Sequence, residues 1–75
     1  MMIRELIRAL WKSDIIDTNT IVIVSRYNEN GDKMPILVCM WWADELSNID
    51  VYIEKFKYNF HTNSLFVILE GIVKS

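Results

Sequence analysis

Residues 34–70 read MPILVCMWWADELSNIDVYIEKFKYNFHTNSLFVILE, two apolar runs joined by a segment that must return the chain to one sheet. Both runs are apolar at consecutive positions. Leu65, Val67 and Leu69 alternate with Phe66 and Ile68, and Ile36, Val38, Met40 and Trp42 alternate with Leu37, Cys39 and Trp41. A strand of this kind offers a side chain for burial to each face of its sheet. The segment between the runs decides the fold.

In that segment Leu46, Ile49, Ile53, Phe56 and Phe60 recur at steps of three and four, and Tyr52 widens the stripe. Asp50, Glu54, Lys55 and Lys57 fall elsewhere, so the spacing predicts an amphipathic helix over 47–60 and a strand-helix-strand crossover. Ser47 and Asp50 resemble a capping box, with Asp in place of Glu, and Leu46 and Val51 are spaced for a hydrophobic staple. Asp50 near the start and Lys55 and Lys57 near the end suit the macrodipole, with Asn59 or Asn63 as the stop. A second pattern runs through the same residues. Phe56, Tyr58 and Phe60 alternate with Lys55, Lys57 and Asn59, and Val51, Tyr52 and Ile53 are also good strand formers. The alternative is therefore an extended segment and a meander.

Upstream, Ile3, Leu6, Ile7, Leu10 and Trp11 repeat at helical spacing opposite Arg4, Glu5, Arg8 and Lys12, which predicts a helix over 1–12. Residues 13–20 read as its exit, without a strong stop residue. Residues 21–27 form a first strand, and Asn30-Gly31 predicts a tight type I′ hairpin, with a longer loop from Asn28 to Lys33 as the alternative that leaves the hairpin itself unchanged. That hairpin sets Val24 opposite Leu37, Ile23 opposite Val38, Val22 opposite Cys39 and Ile21 opposite Met40. Pro35 cannot donate to a ladder, which puts the second strand at an edge. The reading is an α+β fold with α-β-β-α-β order, two helices and a three-stranded sheet, strand order 3-1-2 with antiparallel neighbours. Order 1-2-3 with a parallel pair comes second. The alternative fold is an N-terminal helix plus a four-stranded antiparallel meander.

At 75 residues the chain is read as one domain, residues 1–75, and a chain this short buries roughly 60% of its unfolded surface. Yet 52% of its residues are hydrophobic, above the usual share of about 45–50%. More apolar surface than two helices can cover points to a homodimer or larger assembly. The net charge of −2, with charges scattered, argues against general attraction to nucleic acid or anionic lipid. A lone cysteine, Cys39, permits no internal disulfide and suggests a reducing compartment. Arg4, Glu5 and Arg8 interrupt the first apolar segment, unlike a signal peptide's core, and the longest apolar run is too short for a membrane span. The expected location is cytoplasmic.

Candidate chemistry is sparse. Trp41-Trp42 beside Asp44-Glu45, at the mouth of the crossover, is the most unusual local feature, and Trp is enriched at binding hot spots. These four residues are the candidate partner-binding site, with one tryptophan expected to face inward and the other outward. No catalytic, cofactor-binding or metal site is expected. Asp44 and Glu45 lack a third group to converge with, His61 is the only histidine, and Cys39 has no activating neighbour in sequence. Two glycines form no phosphate loop. Lys55, Lys57, Tyr58 and His61, joined by Arg26, make a small basic and aromatic set for single-stranded nucleic acid. The functional expectation is a non-enzymatic protein-interaction module of inhibitor or adaptor type, of the sort found among accessory proteins of phages and other mobile elements. The alternative is weak single-stranded nucleic-acid binding through Lys55, Lys57 and Tyr58.

Overall fold

The computed structural model describes residues 1–73. Its elements are α1 (Ile3–Lys12), β1 (Ile21–Asn28), β2 (Lys33–Met40), a 3-10 turn (Asp44–Asn48), β3 (Ile53–Asn59) and β4 (Ser64–Val73). The strands form one mixed sheet in the order β2-β1-β4-β3, so the molecule is a small α+β domain with a single α-helix among the described residues.

The periodicity of α1 translates directly into burial. Ile3, Leu6, Ile7 and Leu10 are buried, while Arg4, Glu5 and Arg8 lie in solvent. The Glu5 carboxylate accepts the Met2 N–H at 3.0 Å, and the Met2 carbonyl accepts the amides of Glu5 and Leu6, which starts the first turn. The stop is Asp14, left-handed at φ 58°. Its amide donates to the Trp11 carbonyl and that of Ile15 to the Leu10 carbonyl, the pair of bonds that defines a Schellman motif.

The β1–β2 hairpin contains the four predicted pairs, Val24 with Leu37 through Ile21 with Met40, but reaches them by another route. Only Gly31 in the turn has positive φ, at +83°, so the turn is not type I′. Asn28 donates its N–H to the Asp32 carbonyl, and its side-chain oxygen accepts the amides of Asn30 and Asp32. The loop is one residue longer than a tight turn. Tyr27 then pairs with Lys33 and Ser25 with Pro35, and Ile36 bulges out before Leu37 meets Val24. Pro35 sits at the bulge of an edge strand, where its missing N–H costs no ladder bond.

The predicted helix over 47–60 is not formed, and with it fall the Ser47–Asp50 cap, the Leu46–Val51 staple and the three-stranded sheet. After the 3-10 turn the chain extends into β3, which pairs antiparallel with β4 through Phe56–Val67, Lys57–Phe66 and Tyr58–Leu65. The physical reason lies in β4. Apolar on both faces, it gains a neighbour on each side when its predecessor is a strand, and β3 then presents lysines to the sheet's outer edge. The helix and four strands of the alternative are thus adopted, but not as an antiparallel meander, since β2 and β3 lie at opposite edges of the sheet and β1 and β4 pair in parallel. The extra strand also reverses the direction of β4, which lies beside β1 but parallel to it, where the three-strand order 3-1-2 required an antiparallel neighbour.

The core lies between α1 and one face of the sheet. Val22, Val24, Leu65, Val67 and Leu69 pack under Ile3, Leu6, Ile7 and Leu10, with Ile16 and Leu46 closing the sides. The opposite face carries no covering element among the described residues. Register lays its side chains in rows from β2 to β3: Met40, Ile21, Ser64, Asn59; Val38, Ile23, Phe66, Lys57; then Pro35, Ser25, Ile68, Lys55. Each row begins apolar and ends polar or cationic. Beyond the last row β4 kinks at Gly71, φ +95°, where the Arg26 guanidinium lies against the glycine and donates from Nε to the Glu70 carbonyl at 3.0 Å.

Candidate functional site

Two concave surfaces stand on opposite sides of the sheet. The first is built where β2 ends. Trp41 turns back onto the helix and stacks on Trp11 with ring centroids 4.4 Å apart and planes 21° from parallel. Trp42 points out and is 60% exposed. Together with Arg4, Ile7 and Arg8 of α1, the three tryptophans line a hollow of about 210 Å³. The Trp41 Nε1 is buried without an acceptor, an orphan donor of the kind that costs free energy until something accepts from it. Every polar side chain lining the hollow, guanidinium or indole, is a donor.

Of the four residues singled out by sequence, Trp41 and Trp42 line this hollow. Asp44 and Glu45 are exposed on the 3-10 turn that follows and do not line it. Sequence reasoning missed Arg4, Arg8 and Trp11. Their i, i+4 and i, i+7 spacing on α1 is visible in the chain, but nothing local shows that Trp11 meets Trp41.

The second surface is a groove of about 600 Å³ on the uncovered face. Tyr27, Phe66 and Ile68 form its apolar walls, and Lys33, Lys55 and Lys57 its cationic ones. The Lys33 ammonium lies 5.8 Å from the Phe66 ring centre, and that of Lys55 lies 5.5 Å from the Tyr27 ring centre. Both are cation–π contacts. A hydrogen bond to the Tyr27 hydroxyl raises the Lys55 pKa above the ordinary lysine value.

The set Lys55, Lys57, Tyr58 and His61 is therefore split. Strand alternation puts Tyr58 on the core side of β3, where its hydroxyl donates to Asn63 Oδ1 at 2.7 Å. His61 lies exposed in the β3–β4 turn, its ring 4.1 Å from that of Phe60, and not at a helix C-terminus. Arg26 is spent on the Glu70 carbonyl. The groove instead adds Tyr27, Lys33 and Phe66, which alternate in and out of their strands in a way the sequence could show only once register was known.

Asn59 and Asn63, read as helix stops, shape the β3–β4 turn. Asn59 Oδ1 accepts the His61 and Thr62 amides, and Asn63 is left-handed at φ 52°. Asn63 Oδ1 also accepts from buried Thr20, its Nδ2 donates to Asp17 Oδ1, and its carbonyl accepts the Ile21 amide. Side chain and carbonyl together tie the 17–20 loop and the start of β1 to the β3–β4 turn. Burial, with the Glu45 carboxylate nearby adding to it, pushes the Cys39 thiol up, which disfavours the thiolate a nucleophile needs. Among the described residues there is no group of three His, Cys, Asp or Glu side chains placed to hold a metal, and no helix long and apolar enough to cross a membrane. No family model, curated protein or solved structure matches the chain.

Proposed function

We propose that the chain is a non-enzymatic protein-interaction module whose partner docks on the tryptophan hollow. The supporting observation is Trp42, 60% exposed beside the Trp11–Trp41 stack and the two arginines of α1. Indole and guanidinium groups are the side chains that most often anchor interfaces, because each buries a large area while fixing few torsions or offering a planar fork of donors. A lining whose polar side chains are all donors selects an acceptor-rich partner segment. Asp44 and Glu45 fit this reading as rim charges that set orientation and on-rate more than affinity. In the same reading the apolar half of the uncovered sheet face joins two copies of the chain.

The test is affinity capture under identical conditions with the wild type, Trp42→Ala and Arg8→Ala. Trp42→Ala should lose the specific partner, with a loss of binding of about thirtyfold or more for a hot-spot residue. Partner sets that do not differ between the three proteins would remove the hollow as the working surface.

A further inference from the structure

We propose that the groove on the uncovered face binds single-stranded nucleic acid, with phosphates on Lys33, Lys55 and Lys57 and bases stacked on Phe66 and Tyr27. The inference is independent of the tryptophan hollow, which lies on the other side of the sheet.

Three features of the groove carry it. First, cations and rings occupy one concavity of about 600 Å³, and no carboxylate residue lines it. A net charge of −2 describes the whole chain, but a ligand in this groove meets three ammonium groups. Second, the spacing is regular. Lys55 and Lys57 lie two residues apart on the same side of β3, hence about 7 Å apart along the strand, comparable to successive phosphates of an extended single strand. Third, both rings are already capped by ammonium groups, at 5.8 Å for Phe66 and 5.5 Å for Tyr27. An arriving base can take the ring face while the displaced ammonium moves to the adjoining phosphate, so one motion makes both contacts.

An acidic peptide would use the lysines but leave the ring faces unmatched. A duplex would satisfy the lysines but keep its bases stacked on one another. Single strands use both, because every base has a face to stack and a phosphate beside it. The contacts read no base edge, so the groove should be tolerant of sequence and unable to separate RNA from DNA except through the 2′-hydroxyl.

The experiment is fluorescence anisotropy of the full chain with labelled oligo-dT and oligo-rU, a duplex of the same length, a glutamate-rich peptide and inorganic polyphosphate. Either or both single strands should bind more tightly than the other three probes, and the better of the two identifies the nucleic acid. Log K should fall against log salt with a slope of about −2, the value for three phosphate contacts on a single strand. Lys57→Gln, an exposed change that leaves the core untouched, should reduce that slope by about 0.7. Phe66→Leu, which keeps apolar volume but removes the ring, should weaken binding about ten- to a hundredfold while the slope stays unchanged. Absence of binding at low salt overturns the proposal. So does equal affinity for polyphosphate or the acidic peptide, or unaltered affinity in both variants.

Discussion

Asn63 concentrates more of this fold in one side chain than any other polar residue described. Its left-handed backbone suits Asn better than a residue with an ordinary Cβ, and its amide receives Thr20 and Tyr58 while donating to Asp17. Replacing it by Ala removes the 2.7 Å acceptor of the fully buried Thr20 hydroxyl, leaving it only the weaker contact with Asp17 Oδ1 at 3.4 Å, and imposes the backbone strain as well. Asn63→Ala should cost about 2–4 kcal/mol in urea denaturation, from hydrogen bonds of about 1 kcal/mol each plus the conformational term. Asn63→Gly should recover only the conformational share, so equal losses in the two variants would contradict this division. Asp17 supplies a pH signature. The Asn63 amide, then the Asn19 N–H, hold its carboxyl below the ordinary aspartate value. Its contribution is accordingly complete above the unfolded-state pKa and is lost as pH falls through the lower folded-state pKa. Asp17→Asn removes that titration, so its urea midpoint should decline less steeply than the wild type's at acid pH. Parallel curves would show that Asp17 is not a source of the acid limb.

At the level of elements, the chain is most readable where one local rule acts without a competitor. The stripe of α1, the alternation of β1 and the edge position demanded by Pro35 all follow from single signals. Residues 47–60 failed because two rules competed there. A helical stripe and a two-residue alternation share Phe56 and Phe60, and the choice is made by pairing with β4, which local spacing does not reveal. The same limit hid the groove, since Phe66 meets Lys57 only through the β3–β4 pairing and Tyr27 joins them only through the parallel β1–β4 ladder. The hairpin register came out right through two offsetting departures, a longer loop and a bulge at Ile36. The end of α1 at Lys12 follows from the sequence, but Asp14 does not stand out as its stop, because Asp is an uncommon residue at a left-handed cap. That identity makes a prediction of opposite sign to most substitutions. Asp14→Gly removes the Cβ that disfavours φ 58° and should stabilise the protein by about 0.5–1 kcal/mol, read as a raised thermal midpoint. A lowered midpoint would mean that the carboxylate makes a contribution larger than the strain it accepts.

Viewed whole, the molecule is a sheet with one face sealed and one face open, and the open face is graded. Its β2 side holds Ile21, Val38 and Met40, with Val38 62% exposed, and its β3 side holds the lysines. A contiguous apolar patch on a domain this small is rarely left to water, whereas like-charged lysines repel a second copy. A two-fold pairing that sets the β2 halves against each other buries the first while keeping the second apart and leaving the groove open. Such a pairing predicts that the wild type should be a dimer by light scattering at micromolar concentration. Val38→Glu places a carboxylate at the centre of the paired patch, where its desolvation is uncompensated, and should yield a folded monomer with unchanged thermal cooperativity. Lys57→Glu, on the far side of the same face, should leave the mass unaltered. A wild-type protein that stays monomeric throughout the micromolar range would mean that the apolar rows of Val38 and Ile21 are tolerated in water. The surplus of hydrophobic residues would then be accounted for by the half-exposed edges of the chain, not by a second copy.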